Sequence, residues 1–204
     1  MTLAARRHIA RTCPRFAALM RRVGPCRMET DTQSPYEALV RAIAHQQLHG
    51  KAARTITARF VALGAGPFPT PAEVLSLGDA AMRGCGFSAS KTAAIRDIAL
   101  HAERGLVPSR RQAARMSDAR LIERLTQIRG VGRWTVEMLL MFTLGRPDIL
   151  PVDDFGVREG YRILYDLAEQ PKPRELAAIG EAWSPYRSTA AWYLWRAVDE
   201  ARAG

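Results

Sequence analysis

Apolar positions along the chain recur at helical spacing nearly throughout, and sustained period-two alternation is missing. Tyr36, Leu39, Val40 and Ile43 mark one buried face, with Gln47 continuing its line. Ala10, Phe16, Leu19, Met20 and Val23 mark another, interrupted near Pro14. The segment 133–145 carries Trp134, Val136, Met138, Leu139, Leu140, Met141, Phe142 and Leu144 with hardly any polar face, which predicts a central buried helix. The punctuation agrees. Ser34-Pro35-Tyr36-Glu37 and Thr70-Pro71-Ala72-Glu73 each supply a cap, a proline at the first helical position and a glutamate to close a capping box. Ser88 and Ser117 read as further caps. The pattern predicts helices at about 4–12, 14–23, 35–47, 50–63, 71–77, 79–84, 89–104, 110–115, 118–127, 133–145, 154–167, 173–183 and 185–202. Sheet is confined to one short hairpin near 27–33, so the expected fold class is all-α.

At 204 residues and 48% hydrophobic composition, the chain can bury a substantial core without staples. Thirty Lys plus Arg against twenty Asp plus Glu leave a net charge of +10. Lysine stands only at 51, 91 and 172, and arginine is the residue suited to bidentate phosphate contact. That balance favours a polyanionic partner, although a generally arginine-rich chain is as good an account on charge alone. Cys13, Cys26 and Cys85 are odd in number and lack C-x-x-C spacing. This usage points to a reducing compartment, argues against a disulfide framework and excludes a four-cysteine iron–sulfur cluster. No apolar run approaches the length of a membrane span. The arginine-rich beginning reads as a helix face more readily than as a transit peptide.

The run Leu125-Thr-Gln-Ile-Arg-Gly-Val-Gly-Arg-Trp-Thr-Val-Glu-Met138 places a tight glycine turn between two helices. Gly130 and Gly132 can take conformations costly for other residues, and the next helix start aims backbone amides and a positive dipole end outward. No Lys-Ser/Thr follows, which excludes a nucleotide-cradling P-loop. The form Leu-x-x-Ile-x-Gly-Val-Gly-x-Trp-Thr resembles the helix-hairpin-helix element that grips DNA backbone without reading bases.

About twenty residues further on, Leu150-Pro-Val-Asp153-Asp154-Phe-Gly-Val-Arg158 brings two carboxylates to the start of a helix. Helix capping is the plain reading. A carboxylate beside a phosphate-binding turn would be repelled by DNA, which favours a chemical role over affinity. The combination resembles the helix-hairpin-helix DNA glycosylases, specifically the 3-methyladenine DNA glycosylase II type, over about residues 8–200. Larger members carry an extra N-terminal domain, so the compact form is expected here.

The resemblance implies a single 1–204 unit of two helical lobes with an interlobe active-site cleft, about 1–48 plus 146–204 forming one lobe and 49–145 the other, which carries the hairpin. It implies hydrolysis of the N-glycosidic bond of alkylated purines (3-methyladenine, 7-methylguanine type) after base flipping, leaving an abasic site. Asp154 is the implied catalytic residue, with Asp153 as runner-up and capping partner. The lyase branch carries lysine where Trp134 stands, so no Schiff-base nucleophile is expected there and the strand stays intact. Ala44-His45-Gln46-Gln47-Leu48-His49-Gly50-Lys51-Ala52-Ala53 resembles the family's Gln-Gln-aliphatic-x-x-Lys-Ala-Ala motif, and a solvated helix end is its plain reading. Gln47, Leu48 and His49 would enter the minor groove, with Gln46 lining the base pocket beside Trp134 and Tyr186. Tyr186 sits in a Trp-x-Pro-aromatic-Arg-Ser signature, and an electron-rich ring suits a cationic methylated purine; Trp192 and Trp195 beyond it, at helical spacing, read as core. Gly130, Gly132, Arg133 and Thr135 complete the expected DNA contacts, together with Arg187, which would hold either phosphate or the neighbourhood of the aspartate. Gly84-Cys-Gly-Phe-Ser88-Ala-Ser-Lys91 resembles a further segment whose Ser88 and Lys91 serve either phosphate or a structural turn.

The expected partner is double-stranded DNA containing damaged bases, engaged by a monomer in the bacterial cytoplasm, with no cofactor, metal or membrane. Two alternatives stay open at this point. One is a non-catalytic helix-hairpin-helix DNA-binding module; the other is a glycosylase for another lesion class.

Overall fold

The computed structural model describes residues 3–48 and 50–203, and every regular element among them is helical. Contacts divide the chain into a terminal unit, built from residues up to Thr30 together with Leu140 onward, and a central unit, Asp31–Leu139.

The terminal unit begins with α1 (Leu3–Thr12) and α2 (Pro14–Val23), and continues after the central unit with α11 (Phe155–Tyr165), α12 (Pro173–Gly180) and α13 (Arg187–Ala203). Its core gathers Ile9, Phe16, Leu19, Val157, Leu176, Trp183, Tyr193 and Leu194. Helices α11 and α13 pack most closely, and Gly160 is the reason: a Cβ there would collide with the Leu194 carbonyl. A 3₁₀ turn, Glu181–Trp183, and a cis Ser184–Pro185 bond lead into α13.

The central unit holds α3 (Pro35–His45), α4 (Gly50–Val61), α5 (Pro71–Ser76), α6 (Asp79–Cys85), α7 (Ala89–Glu103), α8 (Arg110–Ala113), α9 (Asp118–Leu125) and α10 (Arg133–Met138). Leu39, Val40, Ile43, Phe60, Ile95, Ile98, Leu121 and Leu125 fill its core. Each such side chain stabilises the fold by about 1.5–3 kcal/mol relative to exposure. The hydroxyls of Ser34, Thr70, Ser88, Ser109 and Ser117 all accept from the first turn of the helix they precede.

Four expectations change. Residues 27–33 form no strand; instead the Asp31 carboxylate accepts from Gln33 N–H at 3.0 Å, and Arg110 holds the Gln33 carbonyl at 3.1 Å. An isolated two-stranded hairpin would be marginal in any case. Helix α3 belongs to the central unit, not to the termini, because it packs on α4, α7 and α10. The capping box at Ser34 is half made, since Glu37 turns its carboxylate to Arg41 at 2.8 Å. The single helix expected at 133–145 becomes α10 followed by a π-helical stretch, Leu139–Thr143. It ends where Gly145 adopts φ +69° and Arg146 N–H returns to the Leu140 carbonyl at 2.8 Å, a Schellman-type stop. Among the described residues no helix is long and apolar enough to cross a membrane.

Candidate functional site

In the central unit, the turn between α9 and α10 is built by a few short bonds. Val131 N–H reaches the Ile128 carbonyl at 3.1 Å, and Gly130 sits at φ +78°, where other residues are strained. Ile128 and Val131 bury their side chains and pin the apolar side of the turn. Asp97 on α7 accepts the Arg129 N–H at 2.7 Å. Helix α10 starts at Gly132 with no acidic residue in its first turn and, unlike the helices that follow serine or threonine, with no side-chain cap. Arg133 keeps 59% of its side chain exposed while its Nε donates to Glu137, itself buried, at 2.9 Å. Trp134 is 45% exposed. Thr135, expected among the DNA contacts, points the other way: it is buried, and helix phase turns its side chain into the core.

The Gln-Gln motif ends α3 in a turn that α7 holds. Lys91 Nζ donates to the Ala44 carbonyl at 2.9 Å and the Gln46 carbonyl at 2.7 Å, capping α3. Partial burial holds that ammonium below the ordinary lysine range. Gln47 adopts φ +56°, and Leu48 is left 37% exposed for an apolar residue. Gln46, expected in the pocket, donates its side-chain amide to the Gly130 carbonyl at 3.3 Å and so ties this turn to the hairpin. His49 lies outside the described residues. Burial first, then the charges of Arg41, Lys91 and Arg54, lower the pKa of His45, which keeps the ring neutral at neutral pH.

In the terminal unit, Asp154 is the N-cap of α11. Its Oδ1 accepts from Val157 N–H at 2.7 Å and from the indole Nε1–H of Trp195 at 2.9 Å. Gly156 permits that approach, since a Cβ there would stand 2.8 Å from Trp195 Cδ1. Phe142 stacks on the indole at 6.0 Å. The capping role that Asp153 was expected to share falls to Asp154 alone, and Asp153 is exposed. Phe155, beside them, is 62% exposed.

The tryptophan that meets Asp154 is thus Trp195, which its helical spacing marked as core. Tyr186 lies elsewhere in the unit, edge-on to His8 at 5.5 Å, where it lines a pocket of about 850 Å³ with Ala5, Met28, Thr30 and Pro147. Asp154 is not among the described residues that line it. Of the two roles open to Arg187, phosphate or the aspartate neighbourhood, its contacts are to carboxylates and make it a brace: Nε and Nη2 grip Asp148 at 2.8 and 2.9 Å, and Nη1 reaches Glu181 at 3.3 Å. Burial would raise the Asp148 pKa, but Arg187 and the Ser184 hydroxyl outweigh it and hold the carboxyl below the usual range. Ser188 joins in, donating to the Arg146 carbonyl at 2.7 Å and accepting from Ile149 N–H at 2.9 Å. Ser184, Arg187 and Ser188 of the signature therefore anchor residues 146–149, the segment that leads toward Asp154. Among the described residues no group of three or more His, Cys, Asp or Glu side chains is placed to hold a metal ion.

A family model described as HhH-GPD superfamily base excision DNA repair protein matches residues 40–185. DNA-3-methyladenine glycosylase 1 of Schizosaccharomyces pombe is 48% identical over 167 residues, covering 81% of this chain and 73% of the relative. The alkylbase DNA glycosidase-like protein mag2 of the same yeast is 34% identical over 203 residues, with 98% of this chain and 95% of the relative covered. Among solved structures, the S. pombe 3-methyladenine DNA glycosylase in complex with abasic DNA superposes with a TM-score of 0.85 at 43% identity, covering 95% of each chain.

Proposed function

The chain belongs to the HhH-GPD superfamily of base excision DNA repair proteins, and on that premise we propose that it is a glycosylase removing alkylated purines from double-stranded DNA. The names of its relatives at 48% and 34% identity support the lesion class. The reading extends to a monomer working on DNA in the bacterial cytoplasm, in keeping with a net charge of +10 and free cysteines at 13, 26 and 85.

The observation that carries the reaction is the fixed carboxylate of Asp154. As the glycosidic bond lengthens, its electron pair leaves with the base and positive charge gathers on the sugar. A carboxylate already oriented by Val157 N–H and the Trp195 indole stabilises that charge without having to reorganise. The same group orients water toward C1′. An alkylated purine leaves from a cationic nucleotide as a neutral base, so no strong acid is required at the leaving group. The products are the free base, an abasic sugar and one proton. Trp134 stands where a lysine would be needed for a Schiff base, so the reaction stops at hydrolysis. The hairpin around Gly130 and Gly132 holds phosphate through the start of α10, and Arg133 adds charge beside it. Leu48 fills the space left by the extruded nucleotide, and Trp134 flanks the base.

Incubation with methylated duplex, followed by chromatography of the small-molecule fraction and a gel of the strands, tests this. Free 3-methyladenine or 7-methylguanine with strands that break only after alkaline treatment is the expected result. Strands cut without alkali would replace hydrolysis by a lyase reaction. Release of nothing, with duplex still bound, would leave a binding module.

A further inference from the structure

One stripe of α7 touches both loops to which the proposed function assigns DNA handling. Lys91, Ala94 and Asp97 follow one another at intervals of three, which places them along one side of the helix. Lys91 holds the Ala44 and Gln46 carbonyls at 2.9 and 2.7 Å. Ala94 lies against the hairpin, its Cβ 3.0 Å from where a Cβ on Gly130 would stand. Asp97 accepts the Arg129 N–H at 2.7 Å. Gln46 closes the circuit by donating to the Gly130 carbonyl at 3.3 Å.

The turn so held is not one the chain would keep unaided. Gln47 has φ +56°, a conformation that residues other than glycine seldom adopt, and Leu48 shows apolar surface to solvent. Such a conformation persists where its surroundings over-determine it. Two carbonyls at the end of α3 gripped by a single ammonium provide that determination, and they commit two of the three N–H directions of Lys91.

We infer that α7 is a rigid mount setting the spacing between the phosphate-gripping hairpin and the intruding turn, and that Lys91 is the positioning residue for nucleotide extrusion. The inference rests on the glycosylase reading for what the loops do, while the mount itself is carried by the contacts above. Its consequence is specific. A slack turn fails to hold open a stacked, paired nucleotide but hardly affects one that is already unpaired, because the unpairing penalty is then largely absent.

The test compares wild type, Lys91→Met and Lys91→Arg on duplexes with 7-methylguanine opposite cytosine or opposite an abasic site, each with 2-aminopurine beside the lesion. Lys91→Met is expected to slow single-turnover release from the paired lesion about tenfold, the scale of a lost charged hydrogen bond, and to damp the 2-aminopurine fluorescence rise. Release opposite the abasic site should fall less than about threefold, and Lys91→Arg should restore most of both signals. Equal losses on the two substrates, or none, would overturn the inference. If Lys91→Met does not fold, Gln46→Ala carries the question, because its side chain is half-exposed. The mount predicts a smaller loss confined to the paired lesion, whereas a pocket-lining Gln46 would weaken both alike and overturn it. Should wild type release no base at all, the glycosylase reading fails by itself. The 2-aminopurine signal still decides Lys91.

Discussion

Helices α10 and α11 begin in opposite ways. The first starts at Gly132, with no capping side chain and no acid in its opening turn, whereas the second starts at Asp154, whose carboxylate caps it. A helix N-terminus carries roughly half a positive charge on amides that lack intrahelical acceptors. Around α11 the protein meets that demand with its own anion, which the Trp195 indole also holds. At α10 neither the cap residue nor the first turn supplies such an anion, and the chemistry suits a phosphate brought by the ligand. Under the proposed function, one start therefore holds the strand and the other answers the positive charge of the transition state.

Removing the carboxylate should have the largest effect. Asp154→Asn keeps an oxygen for Val157 N–H and Trp195 but loses the charge, so single-turnover release should fall about 10²–10⁴-fold with binding retained. Moving an anion to the other start should act on binding instead. Gly132 has φ −86° and nothing within 4 Å of an added Cβ, so Gly132→Asp is accommodated without strain. Capping should raise stability by about a few tenths of a kcal/mol. A titration with undamaged duplex should nonetheless show about tenfold weaker binding, from like charges brought together, with Gly132→Asn near wild type.

Trp195→Phe preserves the stack on Phe142 but deletes the donor to Asp154. Release should slow about five- to tenfold with little change in melting temperature, which thermal unfolding beside single-turnover assays would check. The smallest effect concerns the brace behind Asp154. Asp148 has a folded-state pKa below its unfolded value, so its contribution is present above the unfolded pKa and lost as pH falls through the folded one. Denaturation of Asp148→Asn should show a deficit of about 1 kcal/mol that is constant above roughly pH 4 and closes in more acid solution. A deficit that widened on acidification would contradict that sign.

What the sequence revealed was mostly local. The serine and threonine caps, the glycine turn and the carboxylate at the start of α11 are each written within a few neighbouring residues, where sterics and short hydrogen bonds decide. What escaped depends on distant partners. Trp195 meets Asp154 across 41 residues, and Arg187 meets Asp148 across 39. Helical spacing gave Trp195 a core role, yet a buried indole N–H needs an acceptor, and that demand was the available signal. Arg187 stayed open between phosphate and the aspartate neighbourhood because a guanidinium fork fits carboxylate and phosphate equally well. Lys91 presented the same ambiguity, resolved only by the carbonyls at the end of α3. Thr135 was misplaced although α10 begins where expected, because which of its faces is buried is decided by packing against distant helices.

The division of labour between the two helix starts is tested most directly by measuring affinity and saturated single-turnover release for Asp154→Asn and Gly132→Asp on the same methylated duplex. Asp154→Asn is expected to lose release and keep affinity, while Gly132→Asp is expected to lose affinity and keep release once saturated. Wild-type release by Asp154→Asn would contradict that division.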